Sequence, residues 1–298
     1  MDQNKFFQKL LIQPINNLIN DIIENVIILS PIKNAKYKRN VQYTIKDYVI
    51  GIIDVVKNYS SWNSYKGAMN KDTLRLKFNE WSKLGIFEYT YKKSLTKYLK
   101  TAKRTEELKY QTIDSTFIED INGSKYSTYS GIYKRRKGEA SKGIKITSLV
   151  TTKGIPISVN INQAHNYDTT LLPDVINKCV INCNTKKYYK HNRYKQYLLA
   201  DSGYDSKLIH QKLIKKGYIP IIKQNKRNIK NKKLIRVFNN KQKEIYRKRK
   251  IIENYHSWIK KFPKIKSLYE RNIEYYKGLL FVGISIIINR RIINNKKK

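Results

Sequence analysis

Apolar residues recur along this chain with two different periods, and the change of period divides it. From Val41 to Tyr59 the positions Ile45, Tyr48, Val49, Ile52, Val55, Val56 and Tyr59 repeat at helical intervals. A second helix is predicted to begin near Asp72, read as its N-cap, to carry Leu74, Phe78 and Trp81 on one face, and to stop at Gly85. Residues 1–40 also look helical but carry no distinguishing chemistry. Two helices joined by a short turn suit DNA reading and equally suit a structural or dimerising role. A small all-α N-terminal domain is therefore expected over residues 1–105.

Beyond it the period becomes two. "YQTIDSTFI" (Tyr110 to Ile118) predicts a strand built around Asp114. Ile144, Ile146 and Val150, then Ile155, Ile157, Val159 and Ile161, alternate on either side of a turn at Thr152–Gly154, which predicts a hairpin. "DTTLLPDVINKC" reads as a helix, "QYLLA" as a strand running into Asp201, residues 206–216 as a helix ended by Gly217, and "YIPIIK" as a further strand. A basic loop, "KQNKRNIKNKK", leads to a last amphipathic helix. The order β-β-β-α-β-α-β-α, a hairpin followed by crossovers, is that of an RNase H-like α/β fold: a mixed sheet flanked by helices, expected over residues 106–298.

Charge narrows the partner. The 298 residues hold 62 Lys and Arg against 22 Asp and Glu, a formal net charge of +40. Ile, Lys, Asn and Tyr are abundant throughout, as an AT-rich coding sequence would give, but coding bias does not explain the scarcity of acids. Such an excess is tolerated most readily beside a polyanion, which points to nucleic acid. The N-terminus, broken by polar residues and Pro14, does not read as a secretory signal, and the longest apolar stretch, Gly278 to Ile288, is short of the ~20 residues that span a bilayer. The expectation is an intracellular protein with no membrane partner: cytoplasmic or nucleoid-bound in a prokaryote, nuclear or in a viral factory otherwise. Cys179 and Cys183, four apart with His191 nearby, lack a second ligand pair at zinc-finger spacing and read as reduced thiols.

Against this cationic background a few acids stand out. "IYRKRKIIENYHSWIKK" (Ile245 to Lys261) keeps a single carboxylate, Glu253. On a helix turning ~100° per residue, Tyr246, Arg249, Glu253 and Lys260 fall within ~60° of one another. Ile251, Ile252, Tyr255, Trp258, Ile259 and Phe262 form a separate apolar face. The stripe reads either as a solvated face with an Arg249–Glu253 pair worth ~0.3–0.5 kcal/mol, or as a functional row. Asp114 within the first strand and Asp201 at the end of the fourth give Glu253 companions at the strand ends where α/β folds place their sites. Three such carboxylates suit hard divalent cations and phosphoryl transfer. Arg249 and Lys260, on the same stripe, are placed to meet phosphates, and Tyr246 to stack on a base or hydrogen-bond the backbone. Asp205 reads as a helix N-cap. His165 and Asp168 in "AHNYD" read either as site neighbours or as turn residues.

Taken together these residues resemble the DDE transposases of bacterial insertion sequences, in particular the group with the Y-R-E-K signature. Tyr246, Arg249, Glu253 and Lys260 reproduce that spacing; "IDST" around Asp114 and "LADSGYDS" around Asp201 are similar to the two preceding acidic motifs, and "KGIKITSLVTTKGIPISVNINQAHNYD" to the segment between them. The resemblance implies a recombinase that cuts at transposon ends and joins the exposed 3′-hydroxyl to target DNA. It implies Asp114, Asp201 and Glu253 as ligands of Mg²⁺, with two ions expected and Mn²⁺ able to substitute. The implied partner is double-stranded DNA, both transposon ends and target, engaged by a homo-oligomer. A domesticated nuclease or a non-catalytic DNA-binding protein would share the fold.

Overall fold

The computed structural model describes residues 3–30, 43–102, 107–134, 139–179, 196–225 and 237–296. Most of the basic loop after residue 223, and Cys183 and His191, lie outside them. The chain forms two compact units that interleave along the sequence: Met1–Ala102, Asp120–Tyr126 and Trp258–Lys298 in one, Lys103–Glu119 and Ser127–Ser257 in the other. The helical unit thus takes up the C-terminal stretch as well as the first hundred residues.

In the sheet unit, β1 (Tyr110–Glu119), β2 (Thr128–Lys134), β3 (Ala140–Val150), β4 (Pro156–Gln163), β5 (Gln196–Ala200) and β6 (Tyr218–Ile222) form one six-stranded sheet. β1 runs antiparallel to β3 and parallel to β5, and β6 continues the parallel side. β2 and β4 both pair with β3, β2 near its start at Lys142 and Gly143 and β4 from Ile144 to Val150. The β3–β4 connection turns at Gly154, whose φ of 75° is the left-handed conformation that glycine adopts without strain. This mixed sheet with its crossover helices is the RNase H-like fold expected from the strand order. β2, an irregularly paired strand with a bulge between Tyr129 and Lys134, is an addition to the strand order expected from the sequence.

The helical unit contains α1 (Gln3–Leu29), α2 (Ile45–Asn58), α3 (Lys71–Lys83) and α4 (Ile86–Thr101). The N-cap of α3 is Asn70, whose side chain accepts from the N–H groups of Asp72 and Thr73, so the cap lies two residues before Asp72. The last helix of the chain, Ile273–Lys296, is apolar around its whole circumference from Leu279 to Ile288, and those residues are buried. A helix of that kind has to be enclosed on every side, which explains why it joins the helical unit. Its Gly278 permits close approach: a Cβ there would stand 2.5 Å from Ser82 Oγ. Tyr91 stacks on Phe281 at 5.3 Å, and the buried Asn289 donates to Ser94 Oγ at 3.1 Å.

Between α4 and that last helix come α5 (Asp168–Asn177), α6 (Lys207–Lys215), α7 (Asn240–Arg247), α8 (Ile251–Lys260) and α9 (Pro263–Lys266), which makes Ile273–Lys296 helix α10. The helix expected over residues 245–261 is not uniform: Lys248–Lys250 form a 3₁₀ turn between α7 and α8. At ~120° per residue this turn advances the side chains faster than an α-helix does. No described helix is long and apolar enough to cross a membrane.

Candidate active site

Register brings the first two acids together. β1 and β5 pair in parallel with Thr112 opposite Leu199, and continuing that register by two residues sets Asp114 beside Asp201. Asp114 lies within β1 and Asp201 directly follows β5, the neighbouring strand ~4.8 Å away. Asp114 accepts from the N–H of Ser115 at 2.8 Å, and Asp201 Oδ1 from that of Gly203 at 2.8 Å, at the start of a 3₁₀ turn over Ser202–Tyr204.

The third acid comes from α8. Two residues after Glu253, Tyr255 is fully buried and its hydroxyl accepts from Ser148 Oγ at 3.4 Å. Ser148 is the β3 residue directly opposite Asp114. The apolar face of α8 is thereby anchored against the strand next to the acids, and Glu253 is left exposed.

Arg249 links the two elements. Its Nη1 donates to Asp114 Oδ2 at 3.1 Å and its Nη2 lies 3.7 Å from Glu253 Oε1. Arg249 thus bridges Asp114 and Glu253, and among the described residues no three His, Cys, Asp or Glu side chains stand close enough to hold a metal ion together. Burial works against the charge of Arg249, but Asp114, Tyr246 and Asp201 outweigh it and raise its pKa further. Asp114 shows the opposite balance. Burial, with the charges of Asp201 and Asp168 adding to it, pushes its carboxyl up to about 6 despite Arg249 and the Ser115 N–H. A carboxylate whose proton affinity is raised by burial and by neighbouring acids has the oxygen-donor chemistry to accept a hard divalent cation, and in that respect the residues fit one.

The other stripe residues are placed as follows. The Tyr246 ring packs against Phe238 at 5.2 Å and carries the Arg249 guanidinium 5.9 Å from its centroid, so it supports the arginine. Lys260 follows Glu253 by seven residues on α8, and burial draws its amine below the ordinary value. Asp205 is not the cap of α6. Ser206, in extended conformation, caps it by accepting from Ile209 N–H, while Asp205 bonds the His210 ring at 3.0 Å and the Asn225 N–H at 2.9 Å.

Of the two residues left open in "AHNYD", the structure brings Asp168 to the site and takes His165 to Thr128, where its Nδ1 lies 3.0 Å from the hydroxyl. Asp168 Oδ1 accepts from Ser115 Oγ at 3.0 Å and lies 3.4 Å from Lys145 Nζ. Ser115 Oγ also meets Thr147 Oγ1 at 2.9 Å and the Tyr204 hydroxyl at 3.3 Å. Lys145 is buried and donates to the Asn166 carbonyl at 2.9 Å. Asp168 is the one member of this network that the sequence offered as a site neighbour; for Lys145 the signal is a lysine inside an apolar strand, and alternation places such a residue outward.

The structure is thus an RNase H-like sheet with two carboxylates side by side where β1 and β5 end, and with Arg249 between one of them and a third acid. The chain belongs to the family of the transposase DDE domain, whose family profile matches residues 109–274, more than half of its length. It is thus a transposase in kind. No curated protein and no solved structure matches it.

Proposed function

We propose that this transposase cuts DNA at the ends of its element and joins the exposed 3′-hydroxyl to target DNA, and that it is a member of the Y-R-E-K group. The observation that carries the reading is the placement of Asp114 on β1 beside Asp201 at the end of β5, with Arg249 linking Asp114 to Glu253 on α8. In both steps a hydroxyl oxygen, first of water and then of the DNA 3′ end, attacks phosphorus while the bridging oxygen leaves. Asp114, Asp201 and Glu253 would hold Mg²⁺, probed equally with Mn²⁺, and paired ions supply stabilisation of the attacking and leaving oxygens.

The chain's own side chains do the rest. The Ser115 N–H, and the Ser115 hydroxyl held by Asp168 and Thr147, fix the β1 segment that presents Asp114. Tyr246 and Phe238 fix the plane of Arg249, whose forked donors suit a phosphate placed beside the acids. Lys260 adds a second cation on the same helix. The DNA is double-stranded, with a homo-oligomer engaging two ends, and the helical unit contributes to gripping it. The test is to incubate the protein with Mg²⁺ and the DNA flanking its own gene and to map nicks. Cuts at the element boundaries support the reading, and tight binding without any cut supports a DNA-binding protein that has no chemistry.

A further inference from the structure

The helical unit holds a cleft of about 470 Å³ between α2, α8 and α10 that shares no residue with the acid site. Its walls carry Lys57, Lys261, Arg290 and Arg291 around Trp258 and Phe262, and none of its lining residues is acidic. Elsewhere in this unit helix-face lysines are neutralised locally, as in Lys93–Glu24 at 2.6 Å, Lys92–Glu88 at 2.6 Å and Lys277–Glu274 at 2.6 Å. Among the described residues none of the four cleft cations makes an ion pair. Like charges held in one concavity raise one another's energy unless an anion joins them.

Two further details show donors held ready. Arg290 Nε is buried without a hydrogen-bond partner, and a buried donor left unmade is costly. The Arg291 guanidinium lies 4.8 Å from the Trp258 ring centroid, which fixes its plane before any ligand arrives. Lys57, Arg290 and Arg291 fall outside residues 109–274, so the family assignment says nothing about them.

We propose that this cleft is a second DNA-backbone site, taking duplex phosphates on Lys57, Lys261 and the Trp258-supported Arg291 and acting in affinity rather than in cutting. The proposal rests on DNA as the partner of this transposase but not on the acids that cut it. Each phosphate neutralised by a cation releases counterions, so each side chain has its own signature in the salt dependence of binding.

The experiment uses the full chain and a fluorescent duplex of arbitrary sequence, with affinity measured across salt. Arg291→Gln, Lys261→Gln and Lys57→Gln should each reduce the slope of log affinity against log salt by ~0.9, and the triple variant by roughly three times that. Arg291→Lys and Lys261→Arg, which keep the charge, should hold the parental slope, and Lys92→Gln, whose lysine is paired with Glu88, should also leave it unchanged. A second readout is intrinsic fluorescence. Of the three tryptophans, Trp62 is 4% and Trp81 1% exposed, so a change on adding duplex comes from Trp258 and should be lost in Trp258→Phe. A triple variant with the parental slope, or parental fluorescence at saturating duplex, overturns the proposal. So does a triple variant that binds as the parent but nicks slowly at saturating DNA, which would place the cleft in the chemistry. Steep binding by a parent that never nicks defeats the proposed reaction and leaves this site standing.

Discussion

Replacing Asp114 by Asn should stabilise the metal-free protein while disabling it, and the gain should depend on pH. The Asp114 side chain is 22% exposed, and its carboxyl is pushed from an ordinary 3.8 to about 6, first by burial. In the unfolded chain the group ionises near 3.8, and in the fold only near 6. Between these values the folded state keeps a proton that the unfolded state has lost, so stability falls as pH rises from about 4 to about 6, and the penalty is complete above that. At ~1.36 kcal/mol per unit the full penalty is about 3 kcal/mol. Asn carries no charge, but it cannot accept from Ser115 N–H and Arg249 together as the carboxylate does, at a cost of ~1–2 kcal/mol. The variant should therefore gain roughly 1–2 kcal/mol over the parent near pH 7.5, and should lose that advantage or fall below the parent near pH 4. Denaturant melts in EDTA across pH 4–8 measure this. A difference between the two proteins that stays constant with pH would refute the argument that the carboxyl is held at an ionisation cost.

Other expectations follow from single contacts. Lys264 and Glu270, 1% and 2% exposed, form a 2.9 Å pair in the helical unit, and Trp62 Nε1 also donates to Glu270. Lys264→Met should cost ~3–5 kcal/mol in denaturant melts, with much of the loss recovered by adding Glu270→Leu; a neutral single variant would contradict this. Arg249→Ala and Lys260→Ala should slow single-turnover nicking at saturating DNA, whereas Lys250→Ala should cost at most the affinity of one phosphate contact. Equal losses in all three would reduce the helix to a basic surface. Affinity for arbitrary duplex should fall steeply between ~50 and ~200 mM salt, and a flat response would contradict nucleic acid as the main partner of a chain with net charge +40.

Strand order was legible because alternating Ile and Val residues around Asp114, and on both sides of the Gly154 turn, leave few other structures for those segments. The placement of Asp114 beside Asp201 follows from that order. β2 was not legible: its pairing to β3 is broken by a bulge, and "TYSGIYK" lacks a continuous pattern. The all-round apolar character of α10 announced burial but not by what, since periodicity carries no information on the partner. The 3₁₀ turn at Lys248–Lys250 contains neither Gly nor Pro to mark it. Asp205 and Ser206 are adjacent cap formers, and only backbone geometry decides between them. Arg249 was read as a phosphate ligand from its stripe. Its bond to Asp114 spans 135 residues and had no local signature.

If Asp114, Asp201 and Glu253 act as one site for cutting, none of them is dispensable for the reaction. The direct measurement is Mg²⁺-dependent nicking of the element's own ends by Asp114→Asn, Asp201→Asn and Glu253→Gln, each at saturating DNA and each with duplex affinity measured alongside. All three should lose roughly 10²-fold or more in rate while affinity changes little, because each loses a charged oxygen ligand and almost none of the cationic surface. A Glu253→Gln protein that nicks at the parental rate would contradict it.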